Sequence, residues 1–315
     1  MAIVAKFRKM ERNKCKAAIT IDGLSGTGKT GAALALAYAL TKDFNKVAAV
    51  DTENRSMDLY KGIILHTGVT AENVNIGDLT AEDGFKPSYY LQYRDLAIAN
   101  GMECIINDSI SHMWMYKGGV LDMVNEAQKT ATNKYSVWGQ PEITAEKNMI
   151  MACVRHPNIH CINTLRIKEK MELVQEDGKT FIKSLGEQQI IMPDFKYEPD
   201  LSITMLQAGT SEGTAPRIVV NKSRYSPFKV HEEYDLTPAL MEQLRMFLEE
   251  GTSPEELLEM QRQDYIQALT QYLDEHSNAR TVWGSIKENV GLKKDTKLSD
   301  MTLPKIKEAY SMLVS

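Results

Sequence analysis

The stretch that most constrains this chain is Gly23-Leu24-Ser25-Gly26-Thr27-Gly28-Lys29-Thr30, which fits G-x-x-x-x-G-K-[ST]. Glycines let a backbone wrap tightly, so that consecutive N–H groups point inward at an anion. In such a loop Lys29 reaches the β- and γ-phosphates of a nucleotide, and the Thr30 hydroxyl ligates Mg²⁺. The pattern arises by chance in about one chain in a hundred of this length, so its setting must decide. Before it stands the apolar run Ala17–Ile21, readable as a buried strand, and after it Lys29–Leu40, rich in Ala and Leu and readable as a helix. Strand, loop and helix are the setting a phosphate cradle needs, and the helix offers its positive N-terminus to the anion. The expected binding residues are Gly23 to Thr30 and Gly31, with Mg²⁺ on Thr30.

A phosphate cradle does not by itself hydrolyse anything; that takes a carboxylate near the metal and a group to orient water. The next apolar strand, Val47–Asp51, runs on to Glu53, and a third, Met102–Asn107, delivers Asp108. Ligands gather at the carboxyl ends of parallel strands. Asp108 is therefore expected to hold Mg²⁺ through its water shell. Ser109 follows it, so the catalytic base must come from another strand, and Glu53 is the candidate.

Further strands are expected at Ile159–Leu165, Leu201–Leu206 and Arg217–Asn221, with helices such as Ser88–Asn100 and Ile143–Arg155 between them. This alternation implies an α/β fold with a mostly parallel sheet and helices on both faces. Lys168–Ser184 reads as a hairpin around Glu176-Asp177-Gly178-Lys179. Past Gly251 and Pro254, with Thr252 or Ser253 as a cap, short helices are expected at Pro254–Leu273, Ala279–Val290 and Leu303–Leu313. The domains are thus a basic segment 1–16, a core 17–250 and a helical domain 251–315.

At 43% hydrophobic residues and 25% charged, the chain has the composition of a soluble globular protein. No apolar run is long enough to span a membrane, and the N-terminal stretch lacks the apolar core of a signal peptide, so a cytoplasmic location is expected. Cys15, Cys104, Cys153 and Cys161 form no C-x-x-C pair, and reduced thiols are expected. The net charge of −5 excludes a polycation; nucleic-acid contact would have to be local. The last helical segment carries 8 basic against 10 acidic residues, which does not make a DNA clamp.

Taken together, these motifs resemble RecA-like P-loop ATPases of the RecA, RadA and KaiC superfamily. The segment Ala48–Tyr60 is similar to their second strand, where an Asp-x-Glu pair supplies the catalytic glutamate; here that is Glu53. The segment Cys104–Ser111 is similar to their magnesium strand, with Asn107 where an apolar residue normally stands. Ile159–Lys168 resembles the strand that senses nucleotide and enters a DNA-binding loop; Thr164 stands where RecA has glutamine. Lys222-Ser223-Arg224 matches a Lys-x-Arg whose cations reach the γ-phosphate held by a neighbouring subunit. Trp138-Gly139 before a long helix resembles phage-encoded members, some of which anneal single strands. The resemblance covers about residues 15–250. It implies ATP and Mg²⁺ as cofactors, self-association into a ring or filament, and single-stranded DNA and a single-strand-binding protein as partners, in a bacterial host's cytoplasm.

The resemblance places a DNA-contacting loop at the hairpin, with Arg166, Lys168, Lys170, Lys179 and Lys183 as its cations. Glu169, Glu172, Glu176 and Asp177 offset them, so a solvated hairpin is an equal reading. Two functions remain open: an ATP-dependent recombination protein that binds and anneals single strands, and a nucleotide-switched assembly ATPase with no DNA partner. A small-molecule P-loop kinase would leave Glu53 and the Lys-x-Arg pair without roles.

Overall fold

A computed structural model describes residues 10–176, 179–208 and 214–314. Two compact units divide the chain: Lys16–Leu248, and Met1–Cys15 together with Glu249–Ser315.

In the larger unit, β1 (Ala18–Gly23), β2 (Val47–Asp51), β3 (Asn75–Asp78), β4 (Cys104–Asp108), β5 (His160–Glu176) and β7 (Leu201–Gln207) make the parallel part of one sheet. β6 (Lys179–Gln189) pairs antiparallel with β5, and β8 (Arg217–Ser223) and β9 (Glu233–Asp235) extend the far edge antiparallel. The order is β3-β2-β4-β5-β1-β7-β8-β9, with β6 hanging from β5. The fold is therefore α/β with a mostly parallel central sheet.

Strands this buried read as continuous apolar runs because both faces are covered. Ile19, Ile21, Val47, Ala49 and Ile106 face one core, closed by α1 (Lys29–Thr41) and α6 (Pro238–Leu248). Ala18, Val50, Ile105 and Cys161 face the other, closed by α2 (Pro87–Ala99), α4 (Val120–Gln128) and α5 (Pro141–Val154), while α3 (His112–Met115) follows β4 directly. Cys104, Cys153 and Cys161 are buried free thiols and Cys15 is exposed.

Two departures from the sequence reading have clear causes. β3 has no apolar run, because an edge strand needs only backbone pairing with one neighbour, and its residues are partly or fully exposed. β5 was expected to end at Leu165 but continues to Glu176, because its outer half is held by β6 after the sheet has ended. Asp177 and Gly178, on which the turn was read, lie outside the described residues. Asn107 interrupts an apolar strand but meets Asn163 across the β4–β5 register, donating from Nδ2 to Oδ1 at 2.7 Å.

The smaller unit has its own core. Leu269 of α7 (Pro254–Glu275), Ile286 of α8 (Ser277–Asn289), and Ile306 and Ala309 of α9 (Leu303–Val314) pack together with Met301, which precedes α9. α7 begins with a full capping box: Ser253 Oγ accepts from Glu256 N and Glu256 Oε2 accepts from Ser253 N. Residues 10–15 of the basic N-terminal segment join this unit, with Lys14 N donating to Thr252 O at 2.9 Å and Thr252 N to Arg12 O at 3.1 Å. Gly251, at φ 96°, lies so close to the Arg12 carbonyl that no Cβ fits. Arg12 and Lys14 pair with Glu250 and Glu249.

His160 ties the start of the core to β5: Ala17 N donates to its Nδ1 at 2.9 Å. Burial, and then the nearby Lys16 cation, push its pKa down to about 3. The unfolded chain titrates at the ordinary value, so between these two pH values the unfolded state binds the extra proton. His160 thus contributes stability in full above about pH 6.5, and that stability is lost as the pH falls. Urea unfolding at pH 7 and pH 5 should show a loss, and His160→Gln should shrink the difference by about 2 kcal/mol. An unchanged difference would place the acid sensitivity elsewhere.

Candidate functional site

The site sits at the carboxyl ends of β1, β2 and β4 and where β5 leaves the parallel sheet at Arg166, beside the N-terminus of α1. The loop from Gly23 to Gly28 rises out of β1. Its tip, Leu24-Ser25-Gly26, is exposed, while Thr27 to Gly31 are half-buried. Gly26 (φ 81°) and Gly28 (φ 84°) hold left-handed backbone that other residues adopt only with strain. A Cβ on Gly28 would also stand 3.0 Å from Ala208 Cβ. α1 then starts with no side-chain cap and no acidic residue in its first turn, so its N–H groups and dipole are left for an anion.

Lys29 curls back over this loop, donating to the carbonyls of Gly23 and Leu24, both at 2.9 Å. Burial lowers its pKa, and Glu53 and Asp108 act in the opposite direction. Thr30 Oγ1 donates to Asp108 Oδ2 at 2.6 Å, and Thr164 Oγ1 donates to Asp108 Oδ1. Asp108 is only 2% exposed, and burial holds its pKa above the ordinary carboxylate value despite the two hydroxyls. The peptide bond between Asp108 and Ser109 is cis. Thr30 and Asp108 present only hard oxygens beside a glycine cradle, which is the donor chemistry Mg²⁺ takes. Among the described residues no cluster of three or more His, Cys, Asp or Glu could hold a metal.

Glu53 lies two residues beyond the end of β2. Asp51 organises its turn, accepting from Glu53 N at 2.7 Å and Met57 N at 2.8 Å. Glu53 is half-buried, and its Oε1 takes Nε and Nη2 of Arg166, each at 3.0 Å. Arg166 Nη1 donates to Tyr116 Oη at 2.6 Å. Burial pulls the Arg166 pKa down, but Glu53 and Tyr116 together more than offset this and leave it raised. Behind Tyr116, the tilted His112 ring packs at 4.4 Å between ring centres and bonds Thr52 Oγ1 through Nδ1 at 2.8 Å. Burial, then Arg166, push His112 down to about 4.

The structure therefore brings Lys29, Thr30, Asp108 and Glu53 together around one loop. It places Arg166, read from sequence as a nucleic-acid contact, among them. Lys168 is exposed on β5, and the side chains of Lys170, Lys179 and Lys183 lie outside the described residues. Lys222 and Arg224 sit at the end of β8, held within the chain: Lys222 Nζ donates to Tyr197 O at 2.6 Å, and Arg224 Nη1 to Asp200 Oδ1 at 2.8 Å.

Sequence reasoning missed Tyr60 and Tyr116. A slot of about 300 Å³ opens beside Gly28 and Gly31, walled by Tyr60, Ile63, Ile64 and Pro216. The Tyr60 ring comes within 3.2 Å of a Cβ built on Gly31. Neither tyrosine belongs to a spaced motif, so only their distance to the loop identifies them.

No protein-family profile matches the chain, and no curated protein does.

An ionised carboxylate as buried as Asp108 costs folding energy, and such sites trade stability for function. Asp108→Asn should raise the melting temperature in calorimetry. A lower melting temperature would mean that the hydroxyl bonds outweigh the desolvation.

Proposed function

We propose that this chain is a RecA-like ATPase that binds single-stranded DNA and promotes its annealing or pairing as an oligomer. One observation carries the nucleotide part: the Gly23–Thr30 cradle, the Thr30–Asp108 bond at 2.6 Å and Glu53 all meet at the carboxyl ends of strands of one parallel sheet. The residues fit ATP with Mg²⁺. Loop and helix N–H groups take the β- and γ-phosphate oxygens, and Lys29 exchanges its carbonyls for them. The metal, when bound on Thr30 and Asp108, supplies charge neutralisation for those phosphates. Glu53 orients the attacking water and accepts its proton. The slot at Tyr60 suits the flat face of a nucleobase, with Ile63, Ile64 and Pro216 as apolar walls.

Resemblance carries the rest of the reading. Arg224 is more than half exposed, so it is accessible to a second copy of the chain. There, with Lys222, it would stabilise charge on the neighbour's transferring phosphoryl group and make turnover depend on assembly. No helix of the described residues is long and apolar enough to cross a membrane. The net charge of −5 favours a second reading, a nucleotide-switched assembly ATPase without DNA.

Steady-state ATP hydrolysis, with and without single-stranded DNA at low and high salt, separates the two. DNA stimulation that fades with salt is expected; hydrolysis indifferent to DNA favours the second reading. Lys29→Ala should abolish hydrolysis. Arg224→Ala should lower turnover with nucleotide affinity retained, and an equal loss of both would exclude the role in trans.

A further inference from the structure

Ile21 faces the core closed by α1, so Asp22, the next residue of β1, points to the other face of the sheet. There it lines a cavity of about 760 Å³ with Thr204 of β7, Asn221 of β8, Gln189 of β6 and the turn Pro193–Tyr197. A hollow of this size suits a small molecule. Asp22 is only 3% exposed, and a carboxylate so buried ordinarily has a cation as its partner. Here its bonding partners are the neutral side chains of Thr204 and Gln189. Burial raises its pKa, and the nearby Glu187 carboxylate raises it further, outweighing the cation of Lys29.

The directions of these bonds follow from one fact, that an ionised carboxylate only accepts. Thr204 therefore spends its one hydroxyl proton on Asp22, and Gln189 turns its amide nitrogen to it. With its proton spent, Thr204 accepts from Asn221 Nδ2 at 2.7 Å. Both amides have thus committed a donor inward, and each keeps a carbonyl oxygen as an acceptor. An anionic floor rich in acceptors repels a phosphate. It suits a guanidinium, which has five donors and no acceptor.

The charges of the cavity are sorted along β7. Asp22 stands opposite Thr204, and Lys222 stands opposite Ser202, two residues nearer the start of the strand. The two levels are about 7 Å apart. Glu187 lies close enough to Asp22 to act on it, while Lys222 Nζ is held on the carbonyls of Lys196 and Tyr197. Lys196 is exposed, its ammonium 5.1 Å from the centre of the Tyr197 ring. The cavity is thus negative at one end and positive at the other. Ile167, Leu206 and Val219 add apolar wall, against which a chain of methylenes can lie.

We propose that this cavity binds a free amino acid with a guanidinium side chain, arginine or a close analogue. The guanidinium pairs with Asp22, the stem lies on the apolar wall, and the carboxylate turns toward Lys196. The bound cation also relieves the repulsion between Asp22 and Glu187. The site lies outside the Gly23–Thr30 cradle and does not rest on the nucleotide reading.

Titration calorimetry on the full chain, at constant ionic strength, compares L-arginine with agmatine, which lacks the carboxylate, and L-citrulline, which lacks the cation. L-Arginine should bind saturably, agmatine several-fold more weakly, and L-citrulline about tenfold more weakly or worse. Asp22→Asn, nearly isosteric, should lower arginine affinity by about tenfold or more. Asn221→Lys, at an exposed position, adds an ammonium to the lining and should lower it as far. That variant keeps the test informative if Asp22→Asn fails to fold. Its affinity for a fluorescent ATP analogue should stay at the wild-type value, which shows the two sites to be distinct. The proposal is overturned if L-arginine gives no saturable heat, if L-citrulline binds as tightly, or if both variants bind arginine as the wild type does. Agmatine binding as tightly as L-arginine would overturn the assignment to an amino acid.

Discussion

The two oxygens of Asp108 hold the site together. Thr30, at the first turn of α1, donates to one, and Thr164, inside β5, donates to the other. A helix and a strand far apart in the chain are thereby fixed to the end of β4. The burial that raises the Asp108 pKa also strengthens these bonds, because little water competes for the same lone pairs. The Asp108 carbonyl adds a further tie, accepting from Thr52 N at 2.8 Å, and so sets the exit of β2 toward Glu53. Removing the carboxylate leaves the two hydroxyls without their common acceptor, while the backbone tie to Thr52 stays.

Around that anchor the cations are held by oxygens within the chain. Lys29 rests on loop carbonyls and Arg166 on Glu53, while Lys222 and Arg224, beside the start of β7 at the other end of the sheet, rest on the Tyr197 carbonyl and on Asp200. A phosphate oxygen carries more negative charge than a carbonyl and competes well for the same N–H groups. Positioning costs little on binding when the donors are already gathered, which is the advantage of preorganisation. Burial tunes the same groups, lowering the pKa of Lys29 and raising that of Asp108. His112, pushed down to about 4, stays neutral beside Arg166, so it supports Tyr116 without repelling the guanidinium.

Much of this was legible before any coordinates. The glycine spacing from Gly23 to Gly28 announced a tight loop, since left-handed backbone at Gly26 and Gly28 tolerates little else. Val47–Asp51 was readable to the residue, and a cap at Thr252 or Ser253 was readable too, Ser253 being the one that caps α7. Continuous apolar runs made the central strands visible because burial on both faces leaves no alternation. β3 and the outer half of β5 were not readable that way, because backbone pairing at an edge needs no apolar side chain.

The sequence by itself determined the chemistry at hand: a glycine-wrapped loop, Lys29 and Thr30 beside it, and carboxylates at the ends of apolar strands. Local spacing encodes these, because a loop's backbone angles and a strand's burial are set by residues close in the chain. Only the tertiary structure decided which distant groups meet. That Thr164 shares Asp108 with Thr30, that Tyr60 walls the slot beside Gly31, and that Arg166 turns from the hairpin onto Glu53 all depend on parallel register between strands many residues apart. Register is a property of the packed sheet, and no window of sequence contains it.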